Sequence, residues 1–347
     1  MTTDAYFDIR NLASPVGEPD GCPVSGCVAT LGKAESQWGE MPYCPVHRVR
    51  IHAGTRTFVY YNGSDETSKR DAALRNILFE RDYFKTHILG NAAKAETHRI
   101  CHETSEDALT WNVFSRLARG GFLQDLVSAL TRLTPKSETD LYLWGLRVRL
   151  DDSSAPALFP ALKSARGLFE KGITRFLTEP DVMLYAPGQL LVLVEAKFTS
   201  GNPIALAGAT KDVNDEKPRS REGILRRYAP VALPENALFA PPSSRPLYSQ
   251  LYRNLVFAMH MANELAVRWG LVSLVCEGQF SQRQDKVEFQ DPTRFVHTLL
   301  PEESRDQFVF YSWERLYVDH VVKRAELKDL AEYLYNKSAN GVRALAV

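Results

Sequence analysis

Long hydrophobic runs are missing from this 347-residue chain. The apolar stretches LLVLV and LVSLV fall far short of the roughly 20 residues that a membrane-spanning helix needs, so no span is expected. An excess of either charge is missing too, because 42 Lys and Arg balance 42 Asp and Glu. That balance excludes a generally cationic coat, but not a local basic cleft. No G-x4-G-K-[ST] loop occurs, which excludes a P-loop motor. There is no internal repeat and no long low-complexity tract. The opening MTTDAYFDIRN lacks the basic and apolar stretches of a secretory signal. Cysteine is scarce, with five residues unevenly placed. Together these features predict a reducing, cytoplasmic setting, where clustered cysteines bind metal more often than they pair.

What is present is the composition of a globular protein long enough for one large or two modest domains, 44% apolar and 24% charged. Residues 1–60 are rich in Gly, Pro and Cys and show little periodicity. Residues 65–90 carry apolar positions at helical spacing, with Leu74, Ile77 and Leu78 on one side. In HETSEDALTWNVFSRLARGG, Ser105 is the expected N-cap of a helix that Gly120-Gly121 closes, and residues 122–133 form another. Residues 141–150 alternate as one half-buried strand. Residues 176–187 and 189–199 are two strands joined by a tight Pro187-Gly188 turn. Residues 200–246 are a long loop or insertion. A helix over 249–269 and a buried strand over 271–278 follow, and 325–337 form an amphipathic helix. FVFYSWERLY (308–317) reads as a core strand entering a helix. The order helix, strand, strand, strand, helix, strand predicts an α/β fold with a central mixed sheet flanked by helices.

Two clusters carry chemistry. The first is Cys22-x4-Cys27, a sixteen-residue gap, then Cys44-x2-His47. Two ligand pairs on short turns suit a tetrahedral Zn²⁺, and four protein ligands leave no open position, so the site is expected to be structural. It would staple a segment that has little core of its own. His52 is an alternative fourth ligand; Cys101 and Cys276 are bystanders. Arg48, Arg50 and Arg56 flank the cluster and permit DNA contact.

The second is Asp181, a thirteen-residue gap, then Glu195-Ala196-Lys197 at the end of LLVLV. Strand residues i and i+2 share a face, so Glu195 and Lys197 project together, and a hairpin at Pro187-Gly188 would bring Asp181 alongside. Two carboxylates offer hard oxygens to Mg²⁺, and a neighbouring Lys can orient water or stabilise charge on phosphate.

Glu179-Pro180-Asp181 followed by Glu195-x-Lys197 resembles the PD-(D/E)XK nuclease superfamily. The resemblance covers about half the chain. It implies a restriction-endonuclease-like core, here 101–285 with the 200–246 insertion, preceded by a zinc-binding segment (1–60) and a helical connector (61–100), and followed by a strand and helix extension (286–347). It also implies a catalytic set of Asp181, Glu195, Lys197, Glu106 and Gln250, with Asp181, Glu195 and Glu106 holding Mg²⁺. Glu103 is the second choice for the first-helix carboxylate, and Arg253 shares the opening turns of its helix with Gln250. The implied activity is Mg²⁺-dependent hydrolysis of DNA, as an endonuclease of restriction or defence type or as a repair or recombination exonuclease. Cutting at a palindrome would call for a homodimer. A non-catalytic, zinc-bearing nucleic-acid-binding protein on the same fold, or an unrelated metal-dependent hydrolase, would fit less of the motif. Lys163, Arg166, Lys171 and Arg175 precede Asp181, and Lys217, Arg219, Arg221, Arg226 and Arg227 follow Lys197, flanking the cluster with charge for phosphates.

Overall fold

The computed structural model describes residues 21–22, 27–34, 40–51, 58–60, 66–91, 100–131, 133–152, 154–171, 173, 177–205, 229, 232–241 and 247–339. The chain divides into two compact units. The first comprises Met1–Gly120, Cys276–Gln279 and Glu314–Val347; the second comprises Gly121–Val275 and Phe280–Trp313. Among the described residues, no helix is long and apolar enough to cross a membrane.

The first unit opens with four short antiparallel strands in chain order: β1 (Gly32–Ala34), β2 (Met41–Cys44), β3 (Val49–Ile51) and β4 (Phe58–Tyr60). Helix α1 (Glu66–Arg75) follows. The helical spacing over 65–90 predicts a longer element, but the chain breaks after Arg75. Asn76 turns its amide away to the carbonyls of Ile100 and His102, at 2.7 Å each, and Glu80 takes a left-handed φ of 52°. Buried Asn112 then fixes the break by accepting from Leu78 N at 2.8 Å. Helix α2 (Glu106–Arg119) starts where its sequence predicts: Ser105 Oγ accepts from Ala108 N at 3.1 Å, satisfying one of the orphan amides of the first turn. The C-terminal helix, Lys328–Ala339, belongs to this unit and buries Lys337 against Glu103.

The second unit is an α/β layer structure. Its main elements are α3 (Leu123–Thr131), β5 (Asp140–Leu143), β6 (Leu146–Val148), α4 (Pro160–Phe169), β7 (Val182–Ala186), β8 (Leu190–Ala196), α5 (Ser249–Glu264), β9 (Arg268–Val275), α6 (Thr293–Leu299) and β10 (Phe308–Ser312). The six strands form one mixed sheet in the order β10-β9-β8-β7-β5-β6. β10, β9 and β8 run parallel, while β8, β7, β5 and β6 alternate in direction. The parallel pairs need crossovers, which α5 and α6 supply; the antiparallel pairs need only turns. All seven residues of β8 are buried, as a central strand covered on both faces requires.

One face packs Met183, Leu191, Leu193 and Leu271 against α4, α5 and α6. On the other face, a Cβ on Gly270 would touch Thr131 of α3 and Val192, each at 3.5 Å. The Pro187-Gly188 turn joins β7 to β8 as expected, with Gln189 N donating to Ala186 O at 3.1 Å and Gly188 at φ 69°. Pro then Gly with positive φ is the signature of a type II turn.

Residues 141–150 correct the single-strand expectation, because they fold back on themselves between β5 and β6. Trp144 (φ 54°) and Gly145 (φ 83°) form a two-residue turn between Leu143 and Leu146, and positive φ at both positions is a type I′ turn. A Cβ on Gly145 would lie 2.5 Å from Leu162 Cδ2, so only glycine fits. No charged residue interrupts Leu141–Leu146, and Trp is not a usual residue at positive φ, so the turn is hidden in the sequence.

Candidate functional site

In the first unit, Cys44 ends β2 and His47 precedes β3, so the β2–β3 connection is itself the Cys-x2-His turn. Arg48 N donates to Cys44 O at 2.8 Å, and Arg48 takes φ 51° to close the loop. His47 N points at Cys44 Sγ, 3.4 Å away. Cys44 is fully buried, while Cys22, Cys27 and His47 are half-buried. The four ligand atoms all lie within 4.8 Å of one another. Cys27 and Cys44 sulfurs are 3.9 Å apart, and His47 Nδ1 lies 3.6 Å from Cys44 Sγ and 3.3 Å from Cys22 Sγ. Bond lengths of a tetrahedral Zn²⁺ imply roughly 3.8 Å between two sulfurs and about 3.6 Å between sulfur and nitrogen. The group can therefore hold a metal such as zinc with little adjustment. Arg75 braces the turn from α1, donating to His47 O at 2.6 Å and Arg48 O at 3.0 Å, with its guanidinium 4.7 Å from the Tyr60 ring centroid. His52 and Arg56 lie outside the described residues.

The other two cysteines are poor ligands. Burial pushes the Cys101 thiol up to about 11, and burial together with the Glu314 and Glu106 carboxylates raises that of Cys276 well above its ordinary value. A thiol held protonated is neither a nucleophile nor a ready ligand.

In the second unit, β7 and β8 pair with Val182 opposite Val194. Continuing that register by one residue sets Asp181 opposite Glu195, with both side chains on the face that carries Met183 and Leu193. Asp181 Oδ2 accepts from Ala196 N at 2.8 Å. Glu195 is 2% exposed and Lys197 is 5% exposed. Lys197 Nζ donates to Glu195 Oε1 at 2.5 Å, and Asn254 Nδ2 on α5 donates to Glu195 Oε2 at 2.7 Å. Lys197 is itself anchored through its backbone, with N bonded to Leu274 O at 2.7 Å and O accepting from Trp313 Nε1 at 3.0 Å.

The approach to Asp181 is fixed as firmly. Glu170 at the end of α4 accepts from Thr178 N at 2.9 Å and from Thr178 Oγ1 at 2.6 Å, while Arg166 Nε and Nη2 donate to Thr178 O at 2.9 and 2.6 Å. Trp144 N, in the β5–β6 turn, donates to Asp181 O at 3.2 Å. No relative matches: the chain finds none among family models, curated proteins or solved structures.

Three of the expected catalytic residues, Asp181, Glu195 and Lys197, thus share one sheet face at the ends of β7 and β8. Glu106 falls in the first unit, in the opening turn of α2, where its carboxylate acts on Cys276. Glu103 is fully buried beside Lys337. Among the described residues, Cys22, Cys27, Cys44 and His47 are the one set of three or more His, Cys, Asp or Glu ligands gathered within 4.8 Å; the three carboxylates expected around Mg²⁺ do not form such a set. Gln250 is half-buried in the first turn of α5, and the residue of that helix that reaches Glu195 is Asn254, one turn later. Arg253 is half-buried, its Nε without a hydrogen-bond partner among the described residues. Asn254 has a sequence signal, since it interrupts the apolar stripe of Leu251, Leu255 and Ala258. The basic segment before Asp181 is largely α4: Lys163 and Lys171 are exposed, but Arg166 is committed to Thr178, and its burial lowers its pKa. Arg175 and residues 217–228 lie outside the described residues.

Proposed function

We propose that the protein is a divalent-cation-dependent nuclease with a restriction-endonuclease-like core, acting on DNA as an endonuclease, with exonuclease action as its close variant. The observation that carries this reading is the same-face placement of Asp181, Glu195 and Lys197 at the adjoining ends of β7 and β8. The donors suit Mg²⁺: they are oxygens only, and a carboxylate oxygen that accepts one hydrogen bond keeps a second lone pair for a metal. Asp181 and Glu195 would hold the ion, which when bound polarises the phosphoryl oxygens and acidifies water. Asn254 orients Glu195, and the Ala196 amide orients Asp181. Lys197 places a positive charge where negative charge gathers on the phosphate. In the reaction a water oxygen bonds to phosphorus as the bond to a sugar oxygen breaks. One water proton ends on that leaving oxygen and the other departs from the new phosphate. The zinc knuckle serves as a staple, with Arg48 and Arg50 beside it.

A second reading has its own observation. Glu195 and Lys197 are almost fully buried, and each Glu195 oxygen already has a donor. That favours a non-catalytic nucleic-acid-binding module in which the pair only holds the sheet together. Incubating plasmid, linear duplex, single-stranded DNA and RNA with and without Mg²⁺ separates the readings. Cleavage that needs Mg²⁺ and vanishes in Glu195→Ala supports the nuclease, and discrete plasmid bands mark an endonuclease. Full cleavage by a clean Glu195→Ala preparation would sink the assignment, and gel-shifted but intact DNA would favour the binding module.

A further inference from the structure

At the level of Glu195 a polar row crosses a sheet face that is apolar one level below. Leu193 lies between Met183 on β7 and Leu271 on β9, all three buried hydrophobics. Two residues on, Glu195 lies between Asp181 and Ser273, its register partner on β9. Ser273 is fully buried, and its Oγ accepts from Asn202 Nδ2 at 3.2 Å. Asn202 is also fully buried, and its backbone N donates to Glu288 O at 2.7 Å. The preceding Gly201 is pressed so close to the same carbonyl that a Cβ would lie 2.5 Å from it, so a side chain at 201 would push this backbone contact apart. Among the described residues the Asn202 Oδ1 nevertheless has no hydrogen-bond donor. Exchanging the two ends of the amide leaves the same end unpartnered, because a serine hydroxyl serves either end.

An orphaned buried amide end is costly, and native proteins meet such groups with an ordered water that makes about three hydrogen bonds. We propose that Asn202 holds a buried water in this polar row, shared with Ser273 and the Glu195–Lys197 pair, and is the positioning residue for the water used in phosphodiester hydrolysis. The water's place follows from Asn202 and Ser273 alone; its use in hydrolysis rests on the nuclease reading. Ser273, whose oxygen is occupied by Asn202, still has a hydroxyl proton to donate to it.

The test joins a high-resolution crystal structure of the wild-type protein to steady-state DNA cleavage kinetics of wild-type, Asn202→Leu and Asn202→Ser. A water within hydrogen-bond distance of the Asn202 amide is expected. Asn202→Leu should lower kcat by roughly 10–100-fold with KM unchanged, the weight of one or two hydrogen bonds. Asn202→Ser, which leaves room for a second water, should recover most of it. A dry amide end, or wild-type kcat in Asn202→Leu, overturns the proposal while leaving an active nuclease in place. An ordered water in a protein that cleaves no nucleic acid upholds the water site and removes the nuclease reading. The crystal structure decides even where a variant fails to fold.

Discussion

The Cys22–Cys27–Cys44–His47 turn and the Asp181–Glu195 pair both gather candidate metal-ligand atoms, on opposite kinds of support. The first sits among three- and four-residue strands with two of its cysteines half-buried. Its ligands are soft, four in number, and already near tetrahedral spacing. The second sits on the most buried strand of a six-stranded sheet, its ligands hard and two in number, each with a protein donor. Where the surroundings are thin, a metal held by these ligands would supply the order. Where they are dense, the fold supplies the order and any metal joins it afterwards. The two sites should therefore fail differently, one by unfolding and the other by losing chemistry.

The largest effect tests the first half of that contrast. Structural zinc contributes about 10 kcal/mol or more to folding of small modules. Cys44→Ser should turn stoichiometric zinc into trace zinc by elemental analysis and open the N-terminal sheet to proteolysis. Stoichiometric zinc in the variant would break the comparison at its root. Next comes Lys197→Met, which leaves Glu195 buried without its cation and should cost about 3–5 kcal/mol in denaturant unfolding. Pairing it with Glu195→Gln should restore most of the loss. A Lys197→Met protein as stable as wild type would mean the pair adds nothing to the fold and is kept for chemistry.

A smaller effect comes from the first unit's own buried pair. Burial pushes the Glu103 carboxyl up to about 7, with Lys337 offsetting only part of the rise, while burial lowers Lys337. Between about pH 4.5 and 7 the unfolded chain releases this proton and the folded chain keeps it, so stability should fall by up to about 1.4 kcal/mol per pH unit. Glu103→Gln should flatten that slope in a pH series of thermal melts. The smallest effect separates two residues of α5. Asn254→Ala, which removes the donor to Glu195, should cost about 1–2 kcal/mol, and Gln250→Ala should stay within about 0.5 kcal/mol by the same measurement.

Much of this was legible in the residues, and the misses have physical causes. Ser105, Pro187-Gly188 and the LLVLV run signal a cap, a turn and a central strand through local chemistry that tertiary packing does not override. The mixed sheet and the Cys/His group follow from spacing. The β5–β6 turn escaped because Trp144 fills a position where Gly or Asn is usual, held there by the Asp181 carbonyl that its amide meets. The clamp on Thr178 escaped because Arg166 reads as surface charge until Glu170 and Thr178 are seen to enclose it. Asn254, Ser273 and Asn202 lie far apart in the chain and meet only through the sheet.

The mixed sheet also gives the second site a history. β7 and β8 are joined by a three-residue loop, so Asp181 and Glu195 can meet within the microseconds typical of hairpin closure. β9, which brings Ser273, and α5, which brings Asn254, lie beyond the long 200–246 stretch, and pairing them in parallel requires closing a large loop first. The two carboxylates and Lys197 are thus set together early, while the neutral Asn254 that fixes the second Glu195 oxygen arrives late. In that interval Glu195 has its cation but not yet the amide that holds its second oxygen, so the site closes only when α5 and β9 arrive.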